Sequence, residues 1–304
     1  MRIVSLLPSL TELVCALGGQ SDLVGITHEC DYPPGIESLP HLTRSRIPSG
    51  LTSDEIDRLV KEKQGSLYDL DEGLLAELKP SLILTQEQCD VCAINESTVR
   101  RAAGKLPGSP FVESVNPLDL RGVFQVFRRV GELIGAPAEA DRLIADFHSV
   151  AEEIARRIGH SSGPPPRVLL LEWLDPPFSS GHWNPEIVSL AGGLEVLGNA
   201  GQRSIQVSWD ALRASAPSLV LVSICGYTLE QAEREIHAYR DRTEWRSLMG
   251  GGKTDVVLVD GSAFFSRPGP RLLTSLQIAA AAIFPDACRD LAPGEGSGWK
   301  RYNR

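Results

Sequence analysis

The 304-residue sequence lacks the features that define several common classes of protein. Its longest apolar stretches, such as 278–284, are far too short to cross a bilayer, so we expect no membrane insertion. Its net charge of −9 leaves no basic excess for phosphates, which argues against a nucleic acid as partner. Six cysteines are too few for a disulfide scaffold.

Motifs of common enzymes are missing as well. The sequence contains no Gly-x-Ser-x-Gly, no His-Glu-x-x-His and no Walker loop, and no Gly-x-Gly-x-x-Gly follows a predicted strand. No nucleophile is paired with a base. We therefore expect a protein that is not an enzyme, with an enzyme acting on a small molecule in the same cleft as a weaker alternative.

No export signal is visible at the start of the sequence. The apolar run 3–7 ends at Pro8, whereas the apolar part of a secretory signal is longer. The same run recurs inside the chain at 168–171, so the fold is expected to begin at residue 2. These observations predict a cytoplasmic protein with reduced thiols, or a periplasmic or cell-surface one if a leader is missing from this sequence.

The chain does contain an internal repeat. Three segments recur in the same order: 2–7 as 167–172, 12–19 as 186–193, and 78–85 as 215–222. Matches in one order predict two lobes of the same design with a cleft between them.

The pattern of apolar residues predicts the fold class. Short, almost continuously apolar strands alternate with helices in each half, which is typical of parallel sheets covered on both faces. Between the halves, 138–158 carries its apolar residues on one helical face and would be about 31 Å long. We predict an α/β protein with two lobes, each a parallel sheet flanked by helices, joined by one long interlobe helix.

The same pattern predicts the domain limits. They are an N-terminal α/β lobe at 1–116, a helical linker at 117–162 that includes the long backbone helix, a C-terminal α/β lobe at 163–292 and a loose Gly-rich tail at 293–304. Asn184 is predicted to cap a helix that starts with Pro185.

Ligands of open parallel sheets bind beyond the carboxyl ends of the strands, so the residues that follow each predicted strand are candidates. In the first half these include His28, Cys30, Cys89 and Cys92, and with His182 they could hold zinc or iron. The alternatives are small buried cysteines, histidines that only bond within loops, and a redox pair at Cys89 and Cys92. That pair lacks the helix start that lowers a thiol pKa.

Aromatic and arginine side chains follow the other strands. They could line a pocket for a large flat ligand and clasp its carboxylate, amide or phosphate groups: Tyr32, Trp173, Phe178, Trp183, Phe264, Phe265, Arg267 and Arg271. His28 or His182 could also ligate a cobalt or iron macrocycle axially. Alternatively, the aromatic rings pack the lobes and the arginines lie in a solvated turn.

Five segments spread over nearly the whole chain carry a family resemblance: 2–9, 31–34, 78–84, 176–181 and 266–271. The sequence resembles the helical-backbone (class III) substrate-binding proteins of ABC importers, the iron-siderophore and cobalamin family, and most of all the cobalamin-binding proteins. The resemblance implies two α/β lobes joined by one long helix. It also implies cobalamin or another corrinoid as ligand and an importer permease as partner, and we expect a monomer.

The resemblance also assigns candidate pocket residues. Tyr32 and Phe178 match pocket positions of the family, and Phe264, Arg267 and Arg271 lie in the segment that matches its C-lobe pocket loop. The N-lobe pocket tryptophans of the family are missing, and the cysteine and histidine set of the first half is not part of the familiar pattern.

Together these observations predict a non-catalytic binding protein for a corrinoid or a related metal chelate in the interlobe cleft. It would be a cytoplasmic relative of the importers' binding proteins. The alternative is a metal-binding or thiol-redox protein that uses the cysteines and histidines of the cleft.

Overall fold

The chain forms two compact units in the computed structural model, which describes residues 1–48, 50–62, 67–87, 95–159 and 163–302. The first unit comprises Met1–Leu51, Glu55–Pro117 and Arg121–Ile144, and the second comprises Thr52–Asp54, Leu118–Leu120 and Ala145–Arg304. Each contains a mainly parallel sheet flanked by helices, which confirms the predicted α/β class. The domain limits near 116 and 162 stay a prediction.

The first unit is built on a parallel four-stranded sheet. The strands of the whole unit are β1 (Ile3–Ser5), β2 (Leu23–Ile26), β3 (Thr43–Ser45), β4 (Tyr68–Leu70), β5 (Leu82–Gln86) and β6 (Phe111–Val115). Its helices are α1 (Pro8–Ala16), α2 (Ser53–Glu62, apart from Ser53 and Asp54), α3 (Glu72–Leu78), α4 (Glu96–Ala103) and α5 (Leu120–Ile134, apart from Leu120). The sheet order is β2-β1-β5-β6, while β3 and β4 form a separate antiparallel pair. Apolar side chains such as Val4, Leu75 and Ile83 form the core.

One long helix passes from the first unit into the second. This helix, α6 (Pro137–Ile158), has 22 residues and changes unit after Ile144. Phe147 and Ile154 are buried on its apolar face. The predicted long helix is therefore confirmed. Among the helices of the described residues, none is long and apolar enough to cross a membrane.

The second unit carries a larger, mixed sheet. Its strands are β7 (Arg167–Leu174), β8 (Pro177–Ser179), β9 (Leu194–Glu195), β10 (Leu219–Val222), β11 (Asp255–Val259) and β12 (Trp299–Arg301). Its helices are α7 (Asn184–Leu190), α8 (Trp209–Ala214), α9 (Leu229–Tyr239), α10 (Thr243–Leu248), α11 (Leu272–Ile283) and α12 (Pro285–Cys288). β7, β10 and β11 are parallel neighbours, and β8 and β12 join them as antiparallel strands.

The internal repeat is visible in backbone conformation. α1 and α7 are each followed by a glycine with positive φ, +83° at Gly18 and +84° at Gly192. Glycine suits these turns because it has no Cβ to clash in the left-handed region. Further along, Lys79 and Ala216 adopt φ of 47° and 44° just before β5 and β10. Equivalent positions of the repeat therefore take the same conformation.

The C-terminal segment is more ordered than the sequence predicted. The prediction of a loose tail is wrong for Trp299–Arg301, because this segment forms β12 and pairs with β11. Trp299 is only 1% exposed, and its indole N–H donates to the carbonyl oxygen of Pro293 at 2.7 Å. Burial of this large side chain outweighs the flexibility of the neighbouring glycines.

Two helix starts differ from those predicted. Trp183, not Asn184, is the N-cap residue of α7, and it makes no side-chain capping bond. Asn184 is already helical and its side chain points to a glutamate of β7 instead. The helix predicted from 117 begins at Leu120. The backbone N–H of Leu120 has no partner within the helix and donates to the carboxylate of Glu186 at 2.8 Å.

Candidate functional site

The strand-end loops of the second unit form one connected surface. Because β7, β10 and β11 are parallel, their carboxyl ends meet at the same edge of the sheet. The N–H of Ser262 donates to the carbonyl oxygen of Tyr227 at 3.0 Å, which joins the loops after β11 and β10. The centre of the Tyr227 ring lies 5.8 Å from that of Trp173, which is near the carboxyl end of β7. We call residues 172–184, 223–227 and 260–271 the strand-end surface.

Two aromatic side chains stand opposite each other on this surface. Trp173 of β7 and Phe178 of β8 are partners in the antiparallel ladder, and both are partly exposed. Side chains on directly opposite residues of a ladder lie close together. Trp173 and Phe178 therefore offer adjacent apolar faces to a ligand.

The loop 260–271 adds an aromatic ring and two guanidinium groups. The guanidinium carbon of Arg271 lies 5.6 Å from the centre of the Phe264 ring, within the range of a cation–π contact. Arg267 donates through Nη2 to the hydroxyl of Ser262 at 3.2 Å. All three side chains are partly exposed. The loop thus presents positive charge beside an aromatic face.

Two of the predicted ligand contacts are buried. Phe265 is 0% exposed and Trp183 is 4% exposed. The indole N–H of Trp183 donates to the carbonyl oxygen of Phe265 at 2.7 Å, which ties the start of α7 to the loop 260–271. These two residues support the strand-end surface from beneath.

His182 has an unusual backbone conformation. Its φ is +53°, and its main chain bonds with Gln202 and Gly201 on both sides. Its Nε2 is buried and has no hydrogen-bond partner among the residues that the structure describes. Burial, followed by the nearby Arg203, lowers the pKa of His182 below its ordinary value. The imidazole is therefore neutral near pH 7.

Glu172 holds the strand-end surface together from within. Its carboxylate accepts hydrogen bonds from the Gly181 N–H at 3.1 Å, from the Asn184 side chain at 2.8 Å and from the Ser204 hydroxyl. Burial raises the pKa of this carboxyl above its ordinary value, although the three hydrogen bonds act in the opposite direction.

The raised pKa of Glu172 predicts a pH-dependent contribution to stability. The folded protein holds the proton more tightly than the unfolded chain, so stability falls as the pH rises from the ordinary value of 4.5 towards the folded pKa. Glu172→Gln removes this titration. Urea unfolding at several pH values is expected to show wild type losing stability relative to the variant over that range. Parallel pH profiles would contradict this, and Glu230→Gln, at an exposed glutamate, is the control.

In the first unit, His28 belongs to a small polar network. Its Nδ1 lies 2.7 Å from the hydroxyl of Thr43, which in turn lies 2.7 Å from that of Thr27. The ring is 5.5 Å from that of Tyr68, whose hydroxyl donates to Glu29 at 3.1 Å. Burial, and then His41, lower the pKa of His28. Tyr32, four residues after His28 in the sequence, is 43% exposed.

The side chain of Cys30 contacts a different hydroxyl from the one that the His28 ring contacts. The buried Cys30 sulfur lies 3.0 Å from the hydroxyl of Thr11. Within the described ranges, no group of three His, Cys, Asp or Glu residues could hold a metal ion. Cys89 and Cys92 lie outside the described residues, so the predicted metal or redox site that includes them stays a prediction.

Two further residues of the surface were not predicted to have a role. Tyr227 links two loops, and Glu172 anchors a third. Both follow predicted strands, which is the signal that could have found them. Their residue types alone did not distinguish Tyr227 and Glu172 from the other residues that follow predicted strands.

The mainly parallel sheets, the long helix and the repeated design agree with the fold that the resemblance implied. The chain belongs to the periplasmic binding protein family, whose model matches residues 3–256. This confirms the resemblance to the class III substrate-binding proteins of ABC importers.

Individual relatives are distant but cover most of the chain. A vitamin B12-binding protein of Vibrio cholerae is 23% identical over 279 residues, covering 91% of this chain and 86% of the relative. An uncharacterized ABC transporter substrate-binding lipoprotein of Bacillus subtilis is 22% identical over 293 residues, covering 95% and 82%. A periplasmic heme-binding protein of Pseudomonas aeruginosa has a similar fold, with a TM-score of 0.72, 19% identity and coverage of 100% and 98%.

The prediction of a cytoplasmic protein is wrong. The family is one of periplasmic binding proteins, and one relative is a substrate-binding lipoprotein. The prediction relied on the apolar run 3–7, of which Ile3–Ser5 form β1. A short buried strand carries no information about the compartment.

Proposed function

We propose that this protein is a non-catalytic binding protein for a corrinoid or a related metal chelate, such as heme, which it delivers to the permease of an ABC importer. Family membership supports the role of a binding component. The names of the relatives, a vitamin B12-binding protein and a heme-binding protein, support the class of ligand. The observation that carries the proposal is the strand-end surface, where aromatic rings and arginines stand together.

The residues of this surface suit such a ligand chemically. A corrin or porphyrin is large and flat, so the faces of Trp173, Phe178 and Phe264 can bury much of it. Arg267 and Arg271 suit the carboxylate, amide or phosphate groups at its edge. Trp183 and Phe265 act as supports beneath these contacts. Tyr32 of the first unit stays a proposed contact, and a site in a cleft between the lobes stays a prediction.

Titration of candidate ligands tests the proposal. Cyanocobalamin, aquocobalamin and heme are each added to the protein, and binding is followed by calorimetry and by absorption in the Soret region. We expect saturable binding of at least one of them at concentrations on the order of 10 μM. The absence of heat and of any spectral change with all three would contradict the proposal.

Charge removal at Arg271 is expected to weaken binding. Arg271→Met keeps an unbranched side chain over Phe264 but removes a hydrogen bond to a charged or polar ligand group, so Kd should rise about 10-fold. The loss should shrink at high salt, because exposed charge interactions are screened. Arg213→Met, in an exposed ion pair with Asp210 of the same unit, is the control. Equal affinity of Arg271→Met and wild type would contradict the assigned role.

A further inference from the structure

Asp175 fastens the turn between β7 and β8. Its side-chain oxygen Oδ2 accepts hydrogen bonds from the hydroxyl of Tyr239 at 2.5 Å and from Nη1 of Arg242 at 3.1 Å. Its carbonyl oxygen accepts the indole N–H of Trp173 at 3.2 Å. One residue therefore links the tryptophan of the strand-end surface to the end of α9 and the start of α10.

The turn leads directly into β8, whose backbone bonds both to β7 and to residues 205–207. β8 has only three residues and begins two residues after Asp175. Phe178 lies in the middle of β8, opposite Trp173 in the ladder. β8 also pairs with Gln206 on its other side, so the bonds of Asp175 add to this pairing by fixing the turn that joins the two aromatic residues.

The side chains that hold Asp175 are themselves fixed. The guanidinium carbon of Arg242 lies 3.8 Å from the centre of the Tyr239 ring, and Tyr239 is only 3% exposed. Trp209 stacks on the same ring at 6.4 Å and contacts Trp245 edge-on at 6.5 Å. Burial, and then the neighbouring Asp175, raise the pKa of Tyr239, so its hydroxyl remains a donor across the neutral range.

We propose that Asp175, held by Tyr239 and Arg242, is a positioning residue that presents Trp173 and Phe178 to the ligand. This inference rests on the proposed function. It assigns a binding role to three residues that need not touch the ligand. Their contribution is to order the turn before binding, so that the cost of ordering it does not reduce the affinity.

Tyr239→Phe tests the inference with the loss of one hydroxyl. The ring remains for Trp209 and Arg242, so the fold should persist, as checked by circular dichroism and thermal unfolding. We expect the Kd for the chelate that wild type binds best to rise on the order of tenfold. Arg242→Gln, at a half-exposed side chain, is a second variant with the same expected direction. Tyr302→Phe removes a hydroxyl elsewhere in the same unit and should leave the Kd unchanged.

A double-mutant cycle separates positioning from general stability. In a Trp173→Ala/Phe178→Ala background, Tyr239→Phe should cause no further change in Kd, because the rings that it positions are gone. An equal rise in Kd in both backgrounds would overturn the inference, and so would unchanged affinity of Tyr239→Phe and Arg242→Gln. In both cases the proposed function stands if wild type binds. If wild type binds none of the three chelates, the proposed function and this inference fail together.

Discussion

Replacing Trp299 with alanine is expected to lower the free energy of unfolding of the second unit by about 3–5 kcal/mol. The side chain is 1% exposed, so its removal leaves a large cavity. The change also breaks the hydrogen bond to Pro293 and weakens the pairing of β12 with β11. Urea unfolding followed by circular dichroism measures the effect.

A loose tail would give a different result. Ser297→Ala, at an exposed position of the same segment, is the control and should change stability by less than about 0.5 kcal/mol. If Trp299→Ala costs as little as this control, the C-terminal segment does not contribute to the core of the second unit.

The C-terminal segment also supports the strand-end surface. The carbonyl oxygen of Gly298 accepts the N–H of Asp260 at 2.8 Å, at the start of the loop 260–271. Gly298 has φ of +91°, and a Cβ added there would lie 2.5 Å from Cε2 of Phe264. The Phe264 ring therefore packs directly on the glycine. Loss of β12 should disturb this loop as well as the fold.

The second large effect is expected for ligand binding. Trp173→Ala should raise the Kd for the bound chelate about 30-fold, because truncating a central aromatic contact typically costs about 2 kcal/mol or more. Trp173 is partly exposed, so the variant should fold. Calorimetric titration of wild type and variant at the same temperature and salt measures the difference.

The same titration is made with a second variant of the surface, Phe178→Ala, and with a control variant at an aromatic residue of the first unit. Phe178→Ala should act in the same direction as Trp173→Ala, because the two rings face each other in the ladder. Phe111→Ala removes a half-exposed ring in the first unit and serves as the control. Unchanged affinity in both Trp173→Ala and Phe178→Ala would place the binding site elsewhere on the protein.

The regular part of the fold could be predicted from the sequence, because its signals are local. Apolar runs bounded by glycine and proline predicted β1, β5, β7, β10 and β11, and the apolar face of 138–158 predicted α6. The short strands β3, β4, β8, β9 and β12 were missed. They have two or three residues each and owe their conformation to the strands beside them.

The candidate site could be predicted only in outline. The strand ends pointed to Trp173 and to the loop 260–271, but they did not indicate which side chains are exposed. Phe265 is buried and has a φ of +62°, and residue type reveals neither its burial nor such a turn. The bond from Tyr239 to Asp175 joins residues 64 positions apart, so no local pattern contains it.

A crystal structure of the protein with the chelate that binds best tests the central claim most directly. We predict that the macrocycle lies on the strand-end surface, in contact with Trp173, Phe178 and Phe264, with Arg267 or Arg271 at a polar group of its edge. A chelate bound with none of these side chains within contact distance would contradict the account, whatever its affinity.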